Sequence, residues 1–374
     1  MKIVITGAGG LIGHHAAVRL HAENCAARFK GLAEPYELVR LNHADFDRDD
    51  RLTEALIGAD AVLHFAGVNR ASDADVATGN PAIAQRLADY CQRVGARPHI
   101  VYSNSIHAQH DTVYGNSKRV AGEILNAATN RYSDLILPHI FGEGARPDYN
   151  NVTATLIDRV ISGSSPEVNP DGAVTLLHSG RAAQFGIDAI KQQQYGQFTV
   201  PGRPIGVPAL LDKIYAFHNS YSAETFPDLS DPFDLELFNT YRAATYPAGY
   251  PRKIKQNRDA RGTLFEASRG GGGGQTFLSW TNCGVTRGEH FHLDKVERFL
   301  VVEGTAIIRI RPVLGDQIWE CRVDGNEPAA IDMPTLHTHN ITNIGDTPLL
   351  TLFWTNAVFD PAAPDTYADP VSGA

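Results

Sequence analysis

The chain has little cysteine. Four cysteines occur in 374 residues, with no Cys-x-x-Cys pair, namely Cys25, Cys91, Cys283 and Cys321. This spacing excludes a small disulfide-stapled scaffold, and we expect reduced thiols in a cytoplasmic protein. The first residues lead directly into the apolar IVIT, which leaves no room for the apolar stretch of a signal peptide.

Runs of basic residues and long apolar segments are also missing from the sequence. The net charge is −9, which argues against nucleic acid or an acidic membrane as a partner. The most apolar segment, FLVVEGTAIIRI, is interrupted by Glu303 and Arg309, so no membrane-spanning helix is expected. The composition is that of a globular protein, and the length suits two domains.

The pattern of apolar residues changes once along the chain. Up to about residue 140, short apolar runs such as KIVIT, HIVYSNS and DLILPHIFG alternate with helix-like segments. That alternation predicts a Rossmann-type, doubly wound parallel sheet. After YPAGYP (246–251) the period becomes two, which predicts an all-β barrel or sandwich. We therefore expect domains at 1–245 and 246–374, with the glycine run at 269–274 as a loop between strands.

A glycine-rich turn follows the first predicted strand and opens a helix. Gly7, Gly10 and Gly13 have the spacing that lets backbone N–H groups reach a pyrophosphate at the helix N-terminus. The second strand ends with Arg40 and lacks the acidic residue that binds a ribose 2′-hydroxyl. An arginine there favours the 2′-phosphate of NADPH over NADH.

Tyr114 and Lys118 lie four residues apart, on one face of a predicted helix. A lysine beside a phenol lowers the pKa of the phenol, which can then give a proton to a carbonyl oxygen during hydride transfer. Ser103 and Ser105 end the preceding strand, and either hydroxyl could bind the same carbonyl oxygen. These residues predict a carbonyl reductase.

This set resembles the extended short-chain dehydrogenase/reductase family over roughly the first 245 residues. The resemblance implies a catalytic triad of Ser105, Tyr114 and Lys118, with Ser103 as the alternative serine. It also implies that Asp45 approaches the adenine, that Ala66 and Gly67 of HFAG (64–67) border the cofactor, and that Pro138 lies near the nicotinamide. Extended members act mostly on nucleotide sugars, so a nucleotide-sugar substrate is expected.

A candidate metal site lies in the second half. In GVTRGEHFHLDKVERFLVVEG (284–304), His290 and His292 share one face of a strand, and Glu297 enters the next. A third histidine is expected from PTLHTHNITN, where His339-x-x-x-Asn343 fits better than the fallback His337. Three imidazoles and a carboxylate suit Zn²⁺, or Fe, Ni or Mn, with a position open for water or substrate.

That segment resembles a cupin. NRDARGTLFE (257–266) followed by GVTRGEHFH is similar to the cupin-fold 3,5-epimerases, which remove a proton next to a sugar 4-ketone. Those enzymes generally lack this set of metal ligands, so the likeness implies a metal-dependent variant. Lys295 matches a family lysine and is the candidate base, although phosphate binding or no role at all is equally compatible. Leu336 stands where the cupin pattern has a glycine.

Over nearly its whole length, including HFAGVNR, DYNNVTAT and THNITNIGDT, the chain resembles the CapF-type bifunctional enzymes. The resemblance implies epimerisation at C3 of a UDP-2-acetamido-2,6-dideoxy-4-ketohexose, then reduction at C4 with NADPH. The product would be the N-acetylated L-talose nucleotide on the route to UDP-N-acetyl-L-fucosamine, used in capsules and O-antigens. Family members form homodimers, so a homodimer is expected.

Two alternatives remain at this stage. The chain could be a single-function, NADPH-dependent 4-ketosugar reductase whose cupin only dimerises or binds sugar. It could also be a nucleotide-sugar epimerase or dehydratase that recycles NAD without net consumption of NADPH. Arg40 and the separate epimerase-like barrel argue against the second.

Overall fold

Six parallel strands form the main sheet of the N-terminal part in the computed structural model, which describes residues 1–270 and 272–372. They are β1 (Lys2–Thr6), β2 (Glu37–Leu41), β3 (Ala61–His64), β4 (His99–Ser105), β5 (Tyr132–Leu137) and β8 (Gly196–Thr199). The order is β2-β1-β3-β4-β5-β8, with every pair parallel. The chain places β2 on one side of β1 and then β3 and the later strands on the other side. This strand order confirms the predicted Rossmann-like fold.

Helices cover both faces of this sheet. They are α1 (Leu11–Phe29), α2 (His43–Phe46), α3 (Asp49–Leu56), α4 (Asp73–Arg93), α5 (Val113–Ala128) and α7 (Ser179–Lys191). Helix α6 (Val152–Ile161) precedes α7 in the chain. Val62 and Ile100 are buried in a core shared with α4 and α5. Their neighbours Leu63 and Val101 point the other way, because side chains alternate along a strand, and lie against Gly186 of α7.

The predicted single strand DLILPHIFG is two strands in two sheets. The chain leaves the main sheet after Leu137, and β6 (His139–Phe141) joins a second sheet with β7 (Ala173–His178) and β9 (Arg203–Gly206), in the order β6-β7-β9. Pro138 stands at the break. Proline has no N–H to donate to a ladder, so a strand boundary at this residue is physically reasonable.

The larger sheets of the C-terminal part are antiparallel, as the period-two pattern predicted. Its strands are β10 (Thr225–Phe226), β11 (Arg252–Lys253), β12 (Gln256–Asp259), β13 (Gly262–Phe265), β14 (Arg269–Gly270), β15 (Gln275–Thr281), β16 (Thr286–Phe291), β17 (Glu297–Glu303), β18 (Thr305–Pro312), β19 (Trp319–Asp324), β20 (Ala329–Met333), β21 (His337–Asn343), β22 (Leu349–Thr355) and β23 (Tyr367–Ala368). Two five-stranded sheets, β11-β20-β17-β22-β15 and β19-β18-β21-β16-β23, share one core. The short strands β10 and β14 pair in parallel. The predicted loop at 269–274 begins as β14, and its Gly271 lies outside the described residues.

The chain divides into two compact units, 1–155 with 168–209, and 156–167 with the chain from Leu210 onward. Helices α8 (Val207–Ser222) and α9 (Pro232–Thr245) therefore fall mostly with the antiparallel sheets, whereas the sequence placed 210–245 with the reductase part. Buried polar contacts explain this. Tyr221 donates to Asp332 at 2.5 Å, Asp332 pairs with Arg298, and Arg242 donates to the Met333 carbonyl.

Among the described residues, no helix has both the length and the apolar character needed to cross a bilayer.

Leu336 has a backbone φ of +60°, in the left-handed region where the cupin pattern has glycine. Its side chain is buried, and its N–H donates to the His292 carbonyl at 2.9 Å. We expect Leu336→Gly to be more stable than Leu336→Ala by about 1 kcal/mol, because both lose the side chain but only glycine relieves the left-handed strain.

Urea unfolding of the two variants measures this difference. The control pair is Leu349→Gly and Leu349→Ala in β22, a buried strand position where alanine should be the more stable. Equal stability of the two Leu336 variants would contradict the strain argument.

Candidate functional site

The glycine turn between β1 and α1 is packed so closely against other backbone that side chains would not fit. Gly7 has φ +68°, and a Cβ there would lie 2.7 Å from the backbone nitrogen of Ala66. A Cβ at Gly13 would lie 2.2 Å from the Gly7 carbonyl oxygen. Gly10 is the N-cap of α1 and provides no side chain to cap it. The first-turn N–H groups can therefore bind a pyrophosphate.

Arg40 and Asp45 lie at the end of β2 and in the short helix after it. Arg40 is exposed. The pKa of His14, in the first turn of α1, is lowered mainly by the burial of its ring and then by the positive charge of Arg40. That proximity is compatible with a 2′-phosphate contact. Asp45, predicted at the adenine, already accepts from the N–H of Asn42 in a capping box at 3.3 Å.

The loop after β3, which contains Ala66 and Gly67, is tied down by a residue that the sequence analysis missed. Asn80 of α4 accepts from Val68 N–H and donates to the Val68 carbonyl, both at 2.9 Å, and donates to Ser117 Oγ at 3.0 Å. A Cβ on Gly67 would lie 2.9 Å from Asn80 Oδ1. Since Asn80 is remote in sequence from the loop, no local pattern pointed to it.

The structure separates the two candidate serines. Ser103 Oγ donates to the His64 carbonyl of the neighbouring strand at 3.4 Å. Ser105 Oγ accepts from His107 N–H at 3.2 Å, and its hydroxyl is close enough to Tyr114 to act on the pKa of the phenol. Burial raises the pKa of Tyr114, and the Ser105 hydroxyl lowers it in part. Ser105, not Ser103, therefore lies beside the phenol.

Lys118 is buried on the same helix, and its ammonium group donates to the Ser103 carbonyl at 2.7 Å. It also lies 4.1 Å above the Tyr102 ring. Burial lowers the pKa of Lys118 to about 7, against the opposing charge of Asp134. Burial raises the pKa of Tyr114, and the Lys118 ammonium is directed to a backbone carbonyl, so a lowering of the phenol pKa by Lys118 stays a prediction.

The structure brings all four predicted metal ligands together. One ligand atom from each of His290, His292, Glu297 and His339 lies within 4.8 Å of the others. Glu297 Oε2 is 3.0 Å from His292 Nε2, 3.3 Å from His339 Nε2 and 3.8 Å from His290 Nε2. Neighbouring ligand atoms of a tetrahedral zinc ion are about 3.3 Å apart, so the spacing fits such an ion.

Two of these rings are oriented through their other nitrogen. His292 Nδ1 donates to the Asp365 carbonyl at 2.6 Å, and His339 Nδ1 donates to the His337 carbonyl at 3.2 Å. A carbonyl oxygen only accepts, so a neutral ring has its lone pair at Nε2, facing Glu297. Burial lowers the pKa of His339 to about 4, which keeps that ring neutral at pH 7. A lone pair facing a carboxylate suits a cation between them.

His337, the fallback ligand, is not in this group. Its Nδ1 hydrogen-bonds the Thr335 carbonyl, and its ring packs against Tyr246, 5.1 Å between centroids. His339 is at the position paired with His290 across β16 and β21, which explains why this histidine meets the others.

Lys295 and its loop are held by the segment 364–366. The ammonium group donates to the Pro364 carbonyl at 2.7 Å and to Thr366 Oγ1 at 2.9 Å. The Asp365 carboxylate accepts the backbone N–H groups of 293, 294 and 295. Burial lowers the pKa of Lys295. The geometry thus shows a clamp on the loop between two ligands, and the role of Lys295 as a base stays a prediction.

Parallel sheet, glycine turn and Ser-Tyr-Lys set are features of a nucleotide-dependent oxidoreductase class, and the comparison with known families agrees. Residues 3–184 match the NAD dependent epimerase/dehydratase family. Residues 257–367 match the polysaccharide biosynthesis C-terminal domain.

Particular relatives match nearly the full length. The UDP-2-acetamido-2,6-beta-L-arabino-hexul-4-ose reductase of Pseudomonas aeruginosa is 28% identical over 377 residues, covering 98% of each chain. The crystal structure of the capsular polysaccharide assembling protein CapF from Staphylococcus aureus has a TM-score of 0.59 and 29% identity, covering 99% of this chain and 100% of that one. CapF with the inhibitor 3-isopropenyl-tropolone has a TM-score of 0.55 at 29% identity and the same coverage. The chain is therefore similar to CapF throughout.

Proposed function

We propose that the chain is a bifunctional nucleotide-sugar enzyme. Its antiparallel domain, a cupin, epimerises C3 of a UDP-2-acetamido-2,6-dideoxy-4-ketohexose, and its parallel-sheet domain reduces the C4 ketone with NADPH. The product is UDP-2-acetamido-2,6-dideoxy-L-talose, an intermediate on the route to UDP-N-acetyl-L-fucosamine. The observation that carries the proposal is the convergence of His290, His292, Glu297 and His339 in a chain that also has the reductase set.

The reductase half rests on the Ser105–Tyr114 contact. Tyr114 gives its proton to the ketone oxygen as C4 receives hydride, and Ser105 holds that oxygen. NADPH supplies the hydride. The glycine turn would bind its pyrophosphate, and Arg40 its 2′-phosphate. Lys118, with a pKa of about 7 caused by burial, is poised to return a proton toward the phenol.

The epimerase half rests on the donor set in the antiparallel domain. Three imidazole nitrogens and one carboxylate oxygen at this spacing fit Zn²⁺ or a similar divalent ion. When bound, such an ion supplies Lewis-acid stabilisation to a ketone oxygen. The chain itself orients the rings through Asp365 and His337 and excludes water around His292, Glu297 and His339, which are buried.

The chemistry of the sugar sets the order of the two steps. The hydrogen on C3 is acidic only while C4 is a ketone, because the resulting carbanion needs the carbonyl oxygen to receive its charge. Reduction at C4 removes that ketone. Epimerisation must therefore come first, and one polypeptide with both activities keeps the labile ketone near the second catalyst.

The deciding experiment measures deuterium uptake from solvent at C3 of the 4-ketosugar nucleotide, without NADPH, before and after chelation. We expect uptake that stops on chelation and returns with Zn²⁺, because the proposed epimerase needs the cation and not the reductant. Uptake unaffected by chelation would refute the metal-dependent mechanism. Reduction of a pre-epimerised ketone by the chelated protein is the control for intact folding.

A single-function 4-ketosugar reductase is the second candidate. The observation in its favour is that the Pseudomonas relative is named for reduction alone. In that case the cupin would bind sugar or a second subunit. Oxidation of NADPH with no C3 uptake under any metal condition would establish this alternative.

We also propose a cytoplasmic homodimer. Exposed apolar side chains on β15, an edge strand of its sheet, support the dimer. Phe277, Leu278 and Trp280 are 40%, 51% and 63% exposed there. An edge strand with exposed apolar side chains is suited to cover by another chain.

A further inference from the structure

Three buried side chains of the parallel-sheet unit form a donor set that neither proposed reaction uses. His15 lies in the first turns of α1, Glu143 follows β6, and His178 ends β7. The geometry points to a second metal site at these residues, which binds a divalent transition-metal ion of the zinc, iron or manganese type. The inference goes beyond the proposed function, because this set lies outside the catalytic groups.

Distances within the set match those of the ligands in the antiparallel domain. His178 Nε2 is 2.8 Å and His15 Nε2 is 3.6 Å from Glu143 Oε2. His15 Nε2 also donates to the Glu143 carbonyl oxygen at 3.1 Å, so an ion bound at this nitrogen would displace its proton. One ligand atom from each residue lies within 4.8 Å of the others. Two imidazoles and a carboxylate are a common protein donor set for zinc and for non-haem iron.

A further oxygen donor lies beside the set. Ser179 is fully buried, and its Oγ has no hydrogen-bond partner among the described residues. A Cβ on Gly142 would lie 2.0 Å from Ser179 Oγ and 3.2 Å from His178 Nε2, so the hydroxyl and the ring nitrogen border the same glycine. An orphaned buried hydroxyl costs free energy, and a metal ion, directly or through a bound water, would satisfy it.

Because Glu143 is buried, its negative charge needs a positive charge nearby. The side chain is only 6% exposed, and an isolated buried carboxylate is strongly disfavoured. A protonated imidazole or Arg19, whose charge acts on His15, could provide the balance without a metal. The convergence of ring nitrogens on one carboxylate favours the ion, because both rings are directed to the same oxygen.

The proposed ion would tie three elements together. His15 is two residues after Gly13, so the ion would connect the start of α1 to the ends of β6 and β7. It would hold the helix that follows the glycine turn in place, as structural metal sites do.

Counting ions per chain tests the inference. The full-length double variant His290→Ala/His339→Ala removes the ligands of the other set, and it is loaded with Zn²⁺ after chelation and desalted. We expect one zinc per chain by mass spectrometry, a visible absorption band when Co²⁺ is used instead, and a melting temperature that rises with the ion. Adding His178→Gln should remove the zinc and the cobalt band. His99→Gln, at another buried histidine of this unit, is the matched control and should retain both.

Less than a tenth of an ion per chain in the double variant, at zinc concentrations up to 50-fold above that of the protein, would overturn the site. It would assign the charge balance to a protonated imidazole or Arg19. If His178→Gln does not fold, Glu143→Gln replaces it. Retention of the cobalt band in a folded Glu143→Gln protein would equally refute the site. Because metal is counted without any substrate, the result is independent of the epimerase and reductase assays.

Discussion

Replacing Tyr114 by phenylalanine is expected to slow reduction of the pre-epimerised ketone about 100- to 10,000-fold. In the proposed mechanism the phenol is the proton donor beside Ser105, and phenylalanine removes that proton while keeping the ring in its half-buried position. Deuterium uptake at C3 should be unchanged, because the groups proposed for that step belong to the antiparallel domain. Single-turnover NADPH oxidation measures the first quantity, and NMR of the sugar in D₂O the second.

The two serines provide the matched control. Ser105→Ala should lose reduction about 100-fold, as expected for an oxyanion-binding group. Ser103→Ala should lose far less, because its hydroxyl bonds the His64 carbonyl instead of the phenol. A larger loss for Ser103→Ala than for Ser105→Ala would contradict the assignment. A Tyr114→Phe protein that reduces the ketone at the normal rate would refute the proton-donor role.

Replacing Glu297 by glutamine is expected to weaken zinc binding at least about 100-fold and to abolish metal-dependent uptake at C3. The sign of the stability effect should depend on the metal. In chelated protein the variant should melt no lower than the parent. The glutamine amide can donate a hydrogen bond to a ring nitrogen, whereas the carboxylate places its negative charge against the lone pair of that nitrogen. With zinc the parent should melt higher, since binding to the folded state stabilises it.

Scanning calorimetry with and without zinc, together with competition against a chelating dye, measures these effects. Glu303→Gln is the control, because Glu303 is an exposed carboxylate on the same strand, β17. It should bind zinc and melt as the parent does. A zinc-dependent rise in melting temperature that survives in Glu297→Gln would show that these four residues are not the ligands. Lower stability of the chelated variant would show that the carboxylate is balanced by protonated imidazoles.

The convergence of the four predicted ligands could be expected from sequence because strand geometry has a short period. His290 and His292 are two apart, and Glu297 and His339 each fall on a strand recognisable by its alternation. The parallel sheet was predictable for a similar reason, as buried strands between helices have a clear pattern. These patterns record only the spacing of residues that are near in sequence, and that spacing was sufficient to predict the ligand set and the parallel sheet.

Other features depend on partners that are remote in sequence. Ser103 and Ser105 share a strand face, so spacing does not separate them, and the difference lies in the His64 carbonyl of a neighbouring strand. Glu143 is 128 residues from His15 and 35 from His178, and each lies in a different element. No periodicity connects such residues.

The domain boundary is a related case. The Tyr-Pro-rich segment at 246–251 predicts the end of the first domain, which stays a prediction, and the chain from Leu210 onward groups with the second compact unit. Side-chain contacts of α8 and α9, such as the bond from Tyr221 to Asp332, decide where these helices pack. Those contacts join residues 111 positions apart, which composition alone does not reveal.

The clamp at 364–366 has a consequence for when the proposed cation site is completed during synthesis. His292 is oriented by the carbonyl of Asp365, which is 73 residues later in the chain. At ordinary rates of translation that interval lasts about 4–15 s. Until that interval has passed, the carbonyl that orients His292 has not been synthesised. The complete proposed donor set therefore belongs to the finished fold, and we expect a cation to be loaded after translation and not during it.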